Sequence, residues 1–316
     1  MIVVCGEALI DLVPAGGELW RALSGGGPAN TAVALARLGT PVSMLARISD
    51  DAFGAQLRKR FVDNNVDLRW APNASEPTTL AIVNLDEHGG ARYTFHIDGT
   101  ADWQWQEREL PTLLGAEVTA IHAGSMGLVG RPGGAVIEAI LVRERARRVI
   151  SIDPNVRPVM CPDAREYRDV VERWLGVAHI VKVSADDLGW LYPARSAADV
   201  ALEWVTQGPL LVVLTSGADG ARAFGADGLS VAVPSVPVEV VDTIGAGDTF
   251  TAGLLHSLEQ QGRLDVEALA RLSEPQLETA LRYAAQVSAL ACTRPGADPP
   301  YAQDVVFPDP GTRTPS

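Results

Sequence analysis

A regular alternation of apolar runs with amphipathic segments, from residue 118 onward, is the feature that most constrains the fold. The runs VTAIHAG, VISID, HIVKVS and LLVVLTS are apolar over most of their length, and helical segments separate them. Strands of this kind are buried on both faces, as in a parallel sheet covered by helices. We therefore predict an α/β fold with a doubly wound, mostly parallel sheet and helices on both faces.

Polar residues follow three of these strands where each strand ends. They occupy positions 153–157, 182–187 and 215–217. The carboxyl ends of parallel strands open along one edge of a sheet, and α/β proteins bind their ligands there. The sequence thus predicts a binding site built from these three clusters.

The segment VVDTIGAGDTFT, residues 240–251, runs from an apolar stretch through a glycine turn into a helix predicted to begin near Asp248. The free N–H groups and the dipole of a helix N-terminus favour an anion. A carboxylate at the same helix start can accept a proton, so the segment combines what phosphoryl transfer to a hydroxyl requires. A helix cap at Asp248 beside an ordinary glycine turn is the alternative interpretation.

A second glycine run, SGGGPAN at residues 24–30, also precedes a predicted helix. Glycines let the backbone approach a ligand closely, and Asn30 in the first helical turn places an amide beside it. A plain helix entry with Pro28 near the first position explains the same pattern.

Two polar, strand-like segments, residues 78–85 and 91–97, flank the turn-rich sequence DEHGG. A hairpin inserted into an α/β alternation is typical of a lid over a site. We predict a lid formed by segments of about 12–24 and 75–103, within one domain that spans residues 1–316. The Pro/Thr-rich tail at 308–316 is predicted to be frayed.

The bulk composition disfavours several classes of protein. Hydrophobic residues make up 47% of the chain, which predicts a sizeable core, and the net charge of −13 disfavours nucleic-acid binding. The three cysteines are far apart and predict neither a disulfide framework nor a zinc site. The N-terminus has no basic leader and no apolar run approaches ~18 residues, so we expect no membrane partner and a cytoplasmic location.

Four motifs stand in order along the chain: GEALIDLVP, SGGGPAN, DPNVRP and VVDTIGAGDTFTAGLL. Together they closely resemble the ribokinase-like (PfkB) carbohydrate kinase family, and GEALID, DPN-x-RP and ALACTRPGA are most similar to its bacterial fructokinases. The resemblance covers residues 1 to about 300. It implies a ribokinase-like fold with a small β-sheet lid, ATP and Mg²⁺ as cofactors, and transfer of the γ-phosphoryl of ATP to a sugar hydroxyl. D-Fructose is the leading substrate.

The resemblance also implies roles for individual residues. Asp248 would remove the proton of the acceptor hydroxyl, and the N–H groups of Gly245, Ala246 and Gly247 would hold the phosphoryl group in transit. Arg157 would lie near the phosphate or the sugar. The other matching positions are sugar-binding residues (Asp11, Gly27, Asn30 and Phe95) and nucleotide-binding residues (Lys182, Ser184, Thr215, Ser216 and Gly217).

Two ion sites follow from the same resemblance. Asp187 stands where many relatives carry a glutamate that organises Mg²⁺ through water. Asp242, Ile244 and Gly296 match a monovalent-cation site that would take K⁺. Simpler interpretations remain open for three residues: hairpin packing for Phe95, a solvated strand-end charge for Lys182 and a turn at Asp242.

Other classes of function fit less well. The chain lacks the G-x-x-x-x-G-K-[ST] of P-loop kinases, and no G-x-G-x-x-G follows the first strand as in a Rossmann dehydrogenase. A non-catalytic sugar-binding protein on the same fold would not require the carboxylate of Asp248.

Within the family, 2-keto-3-deoxygluconate, ribose and nucleosides are alternative substrates. A keto acid would need an additional cation in the pocket, for which Arg92 and Arg131 are candidates. Exposed edges of the lid strands would let two copies of the chain pair as a homodimer.

Overall fold

The computed structural model describes residues 1–85 and 91–306, with only the backbone at positions 84, 85, 91 and 92. The predicted DEHGG connection, the side chain of Arg92 and the tail at 308–316 lie outside what is described. The strands are β1 (Ile2–Cys5), β2 (Leu9–Pro14), β3 (Trp20–Gly25), β4 (Val42–Leu45), β5 (Ile48–Ser49), β6 (Asn73–Ala74), β7 (Leu80–Leu85), β8 (Ala91–His96), β9 (Ala120–Gly124), β10 (Val149–Asp153), β11 (Ile180–Ser184), β12 (Leu211–Thr215), β13 (Ala221–Gly225) and β14 (Ser230–Val233). The α-helices are α1 (Gly27–Arg37), α2 (Ala52–Asp63), α3 (Met126–Val129), α4 (Gly133–Glu144), α5 (Ala164–Leu175), α6 (Ala185–Leu191), α7 (Ala197–Val205), α8 (Ala246–Gln260), α9 (Val266–Ala270) and α10 (Glu274–Cys292).

The predicted sheet is present as eight strands in the order β14-β13-β12-β11-β10-β9-β1-β4. Six neighbouring strands pair in parallel, namely β4, β1, β9, β10, β11 and β12. At the other end of the sheet, β13 pairs antiparallel with β12, and β14 pairs antiparallel with β13. Alternate side chains enter opposite cores, as the period of two in a strand requires: Ile2 and Val4 join one apolar cluster, and Val3 and Cys5 join the other. Helices cover both faces, so the predicted doubly wound architecture is confirmed.

Helix α8 lies on one face of the sheet and packs against α1 and α10. The approach to α10 is close, because a β-carbon on Gly253 would lie 2.9 Å from the α-carbon of Ala284. The apolar residues Leu254, Leu255 and Leu258 of α8 are fully buried. The rigid packing of α8 fixes the position of its N-terminus, which lies at the predicted site.

A second, smaller sheet has the strand order β3-β2-β7-β8. Strands β2 and β7 pair in parallel and join two antiparallel hairpins. The predicted hairpin is present as β7 and β8, and the predicted lid segment 12–24 contains most of β3 and the end of β2, whereas the start of β2 at Leu9 was not predicted. A small apolar cluster that includes Leu9, Ala81, Trp103 and Met126 holds this sheet against the larger part of the molecule.

Two short helices, α3 and α9, were not predicted, since each is too short to show a helical period. In the described part of the chain, none of the helices combines the length and apolarity that a membrane span requires.

Candidate active site

The N-terminus of α8 differs in one respect from the prediction. Its N-cap is Gly245, whose left-handed conformation (φ 76°) turns the chain into the helix, and the helix begins at Ala246 rather than near Asp248. Asp248 is therefore the third helical residue, and the alternative interpretation of its side chain as the helix cap is wrong. First-turn N–H groups have no carbonyl partner within an α-helix, so those of Gly247 and Asp248 are available to a ligand. The N–H of Ala246 instead donates to the carbonyl of Thr243 at 3.2 Å.

The carboxylate of Asp248 is 9% exposed and receives a hydrogen bond from Asn30. The Nδ2 atom of Asn30 donates to Asp248 Oδ2 at 2.9 Å, and Thr31 Oγ1 donates to the Asp248 carbonyl at 3.3 Å. Burial raises the pKa of Asp248 to about 6, although Asn30 lowers it. A carboxyl with this pKa is ionised at neutral pH and remains a stronger base than an exposed aspartate.

The sugar-side residues predicted from the glycine run and the DPN motif meet at this carboxylate. A β-carbon on Gly27 would lie 2.9 Å from Asn155 Nδ2 and 3.2 Å from Asp248 Oδ1. The backbone of α1 thus approaches both side chains at a distance that only glycine permits.

Asp11, on β2, lies at the rim of the same region. A β-carbon on Gly25 would be 2.1 Å from Asp11 Oδ2, so this carboxylate packs on the glycine run. Burial raises the pKa of Asp11 to about 6, although the charges of Arg60 and Arg157 lower it. The Arg157 guanidinium donates to the carbonyls of Asn155 (3.3 Å) and Val156 (3.0 Å). Its charge lowers the pKa of Asp248 as well.

Phe95 is half-buried on β8 and packs on the apolar cluster beneath the small sheet. Its ring stacks on Tyr93 with centroids 5.9 Å apart. The packing interpretation therefore accounts for Phe95, and a place over the sugar is compatible with it.

Lys182 is not the solvated strand-end charge that one interpretation suggested. It is buried, and its Nζ donates to Asp153 Oδ2 at 3.0 Å. Burial alone would lower the pKa of Lys182, but the carboxylates of Asp153, Asp187 and Asp248 together outweigh it, and the pKa is raised. A β-carbon on Gly247 would lie 2.9 Å from Lys182 Nζ. A fixed ammonium group thus lies beside the first turn of α8.

A groove of about 500 Å³ extends from this turn, and Asn30 is not among its lining residues. The groove is lined by the N-terminus of α8, by one face of α10 and by the loops after β12 and β14. The lining residues are Thr215, Gly217, Ala218, Gly220, Ser235, Val236, Pro237, Val238, Val240, Thr243, Ala246, Gly247, Phe250, Ala285, Ser288, Ala289 and Cys292. Thr215 and Gly217 lie here as predicted. Ser216 lies between them, with its N–H bound to the Gly220 carbonyl at 2.8 Å.

Ser184 and Asp187 form a capping box at the start of α6. Ser184 Oγ accepts from the N–H of Asp187 at 3.0 Å, and Asp187 Oδ1 accepts from the N–H of Val156 at 3.0 Å. Asp187 therefore ties the DPN loop to the end of β11. Burial raises the pKa of Asp187, as does the nearby Asp153. In the described ranges, no three acidic, histidine or cysteine side chains are grouped so that they could hold a metal ion.

Asp242 contacts both Ile244 and Gly296. Asp242 Oδ1 accepts from the N–H of Ile244 at 3.0 Å, and Oδ2 accepts from the N–H of Gly296 at 2.8 Å. The turn interpretation of Asp242 is thus part of the structure, and the second contact joins that turn to the segment after α10.

One residue near the site, Arg60, was not identified from the sequence. Arg60, on α2, donates to Asn30 Oδ1 at 3.2 Å and to the Ala297 carbonyl at 3.0 Å. The sequence did contain a sign of this role. Arg60 lies on a predicted amphipathic helix between Leu57 and Phe61, both buried, a position that places its side chain near the interior.

The model of the pfkB family carbohydrate kinases matches residues 1–304. The chain belongs to this family. Its relatives include a fructokinase of Rhizobium leguminosarum bv. trifolii, 40% identical over 281 residues, which are 88% of this chain and 85% of that protein. The family places the chain among enzymes that phosphorylate carbohydrates, and its fold is ribokinase-like.

Solved structures of similar proteins agree with this assignment. The Xylella fastidiosa fructokinase with bound ATP superposes with a TM-score of 0.87 at 30% identity, covering 94% of this chain and 93% of that one. The Vibrio cholerae O395 fructokinase in its fructose, ADP and calcium form gives 0.81 at 30% identity, covering 94% of each chain. A double mutant of the Vibrio protein, with fructose, ADP and potassium bound, gives 0.81 at 28% identity, covering 94% and 93%.

Proposed function

We propose that this kinase transfers the γ-phosphoryl group of ATP to a hydroxyl of D-fructose. The observation that carries the proposal is that the first turn of α8 takes part in two recognition regions. Asp248 contacts Asn30 and closely faces Gly27, whereas Ala246 and Gly247 line the groove that Thr215 and Gly217 also line. The names of the relatives favour fructose over the other sugars.

In the reaction, the acceptor hydroxyl oxygen forms a bond to the γ-phosphorus while the bond from that phosphorus to the bridging oxygen of ADP breaks. The hydroxyl proton passes to Asp248, whose pKa of about 6 suits a base at neutral pH. The N–H groups of Gly245 and Gly247 stabilise charge on the phosphoryl oxygens. Ala246 contributes less than we first expected, because its N–H is held by Thr243.

For the sugar, we propose that Asp11 and Asn30 bind hydroxyls through an acceptor and a donor, and that Gly27 allows the sugar to approach α1. Arg157 neutralises charge near the reacting groups. Phe95 closes over the sugar as part of the lid, which comprises strands β2, β3, β7 and β8. Closure of this sheet would exclude water from the phosphoryl group.

For the nucleotide, we propose that the groove holds ATP and that Thr215, Ser216 and Gly217 line its phosphates. Lys182 contacts the phosphates in this proposal, because its Nζ lies next to Gly247 in the first turn of α8. Ser184 keeps Asp187 in place through the capping box. Mg²⁺ retains several waters and binds through few carboxylates, so a single carboxylate such as Asp187 fits an ion carried by ATP. Mg²⁺ supplies charge neutralisation on the phosphates.

A monovalent cation is proposed beside the N-terminus of α8, held by Asp242 and the carbonyls of the Ile244 and Gly296 turns. Each Asp242 oxygen accepts one N–H and retains lone pairs for an ion. The potassium-bound form of the Vibrio protein favours K⁺.

The test of the function is a panel of sugars incubated with ATP and Mg²⁺, with ADP formation as the readout. The panel contains fructose, 2-keto-3-deoxygluconate, ribose and a nucleoside, at equal concentrations. We expect the highest kcat/KM with fructose. A signal with the keto acid and none with fructose would overturn the substrate assignment. Arg131, which is exposed before α4, would then be the candidate cation for the carboxylate of the keto acid.

We also propose that two copies pair through the edges of the small sheet. Edge strand β3 begins at Trp20, which is 47% exposed, next to Leu19 at 70%. Light scattering after size exclusion tests this pairing, with Trp20→Lys as the variant. A monomeric wild-type protein would exclude it.

A further inference from the structure

Arg60 connects three segments that are distant in sequence and converge at the site. Its Nη2 donates to Asn30 Oδ1 at 3.2 Å and to the Ala297 carbonyl at 3.0 Å, and its Nη1 donates to the Ser24 carbonyl. These acceptors lie on α1, in the turn after α10 and at the end of β3. The roles proposed above do not include Arg60.

The contact with Asn30 determines which way the amide points. A carboxamide has one acceptor oxygen and one donor nitrogen, and the two can exchange by a flip of the group. A guanidinium offers only donors, and an ionised carboxylate only accepts. Because Arg60 faces Oδ1, Nδ2 must face Asp248, and it donates there at 2.9 Å. Arg60 thus bears on the base through one intervening amide.

The contacts with the other two segments act on neighbouring parts of the same site. Ala297 packs on the N-cap of α8, since a β-carbon on Gly245 would lie 3.0 Å from Ala297 Cβ. Ser24 directly precedes Gly25, the residue on which Asp11 Oδ2 packs. One guanidinium therefore holds the glycine run, the Asn30 amide and the turn next to Gly245 in a single arrangement.

We propose that Arg60 is a positioning residue for the phosphoryl-transfer reaction: it fixes the amide of Asn30 toward Asp248 and anchors the Ala297 turn against the cap of α8. The inference rests on the proposed function, in which Asp248 is the base and Asn30 binds the sugar. Arg60 remains charged at neutral pH, because burial lowers the pKa of its guanidinium only to about 10.

The test is a double-mutant cycle with Arg60→Gln, Asn30→Ala and the two combined, assayed with fructose and ATP. We expect Arg60→Gln to lower kcat/KM for fructose by about ten- to a hundredfold, as a lost hydrogen bond of a charged group does. In the Asn30→Ala background the same change should cost only about threefold, because the loss that acts through the amide has already occurred and only the anchoring of the Ala297 turn remains. The KM for ATP should stay within about twofold, since Arg60 lies on the sugar side.

Arg58→Gln is the matched control. Arg58 lies on the same helix, and its guanidinium also donates to two backbone carbonyls, those of Ile48 and Pro72, each at 3.2 Å. It is expected to leave the kcat/KM for fructose near the wild-type value. Arg60→Lys keeps the charge and the stem but has no planar fork, so it should lose part of the activity and serves if the glutamine variant does not fold.

Equal losses from Arg60→Gln in the wild-type and Asn30→Ala backgrounds would overturn the proposal, as would an equal loss from Arg58→Gln. The coupling between Arg60 and Asn30 is also measured in the free energy of unfolding, which needs no substrate. A wild-type protein inactive on fructose but coupled in unfolding would refute the substrate and retain the positioning role. An active protein without coupling in either measurement would refute the role of Arg60 alone.

Discussion

The amide nitrogen of Asn30 lies 2.9 Å from Asp248 Oδ2, although the two residues are 218 positions apart in the chain. Each residue lies in the first turn of a helix, and glycines lead into each helix. The contact joins the first turns of α1 and α8, so a group that binds the sugar is held against a group that removes its proton. This relationship makes the ionisation of Asp248 the property on which several predictions depend.

The first prediction concerns the acid limb of the pH profile. Asp248 and Asp11 both have pKa values raised to about 6, and both act as acceptors in the proposed reaction. The kcat/KM for fructose should therefore decline as pH falls through 6, because protonation removes the base and a sugar ligand. Asn30→Ala should move the limb to higher pH, since the amide lowers the pKa of Asp248. A profile that stays flat down to pH 5 would contradict the assignment.

The second prediction is that Asp248→Asn stabilises the ligand-free protein. The folded-state pKa of Asp248 lies above its ordinary value of 3.8, so the native state holds a proton that the unfolded state releases between pH 4 and 6. Below pH 4 Asp248 is protonated in both states and does not reduce the free energy of unfolding. As the pH rises to 6 the unfolded state is favoured increasingly, so this part of the stability is lost. The variant avoids that loss, which amounts to about 2–3 kcal/mol at about 1.4 kcal/mol per pKa unit.

Denaturant unfolding at pH 4.5 and pH 7.5 measures this difference. The stability gap between variant and wild type should be larger at pH 7.5. A variant that is less stable than wild type at both pH values would mean that the ionised Asp248 stabilises the fold instead.

The third prediction concerns the space around Gly247. A β-carbon there would lie 2.9 Å from Lys182 Nζ, and this ammonium group cannot withdraw because it is buried and paired with Asp153. Gly247→Ala should lower kcat by about ten- to a hundredfold, because the added methyl group displaces the ammonium group proposed to face the phosphates, and each tenfold corresponds to about 1.4 kcal/mol of transition-state stabilisation. Gly189→Ala on α6 is the control, since a β-carbon there meets no atom within 4 Å. Equal activities of the two variants would show that Lys182 does not need its present position.

How much of this site the sequence predicted depends on whether each contact is local. The carboxyl-end clusters, the glycine run before Asn30 and the helix that carries Asp248 all follow from strand and helix patterns. The pairing of Lys182 with Asp153 does not, because the residues lie on neighbouring strands, 29 positions apart. A strand-end lysine has the same pattern whether it is solvated or paired.

Two further features were not predicted, because in each case a contact partner lies far away in the sequence. Arg60 lies on an otherwise ordinary amphipathic helix, and only the fold brings Asn30 and Ala297 to it. Strand β2 was not predicted because it follows β1 closely, and because one of its two partners, β7, lies about 70 residues later. In each case the partner, rather than the local sequence, determines the structure.

The fourth prediction concerns the cation. Asp242 joins the turn at Ile244 to that at Gly296, and this unit lies just before the cap of α8. Potassium chloride should therefore raise kcat relative to sodium chloride at equal ionic strength, and Asp242→Asn should reduce the difference. Initial rates in the two salts measure it. Equal rates would remove the proposed cation role from Asp242 without affecting its role in the turn.

The central claim is that Asp248 accepts a proton from fructose as ATP phosphorylates it. The most direct measurement follows fructose, ATP and Mg²⁺ by ³¹P NMR with the wild-type protein and with Asp248→Asn, at matched occupancy of both ligands. We predict that wild type forms a sugar phosphomonoester in step with ADP, and that the variant binds both ligands but turns over ~10²–10⁴-fold more slowly. Absence of the phosphomonoester with wild type, or a variant rate within a few fold of wild type, would contradict the claim.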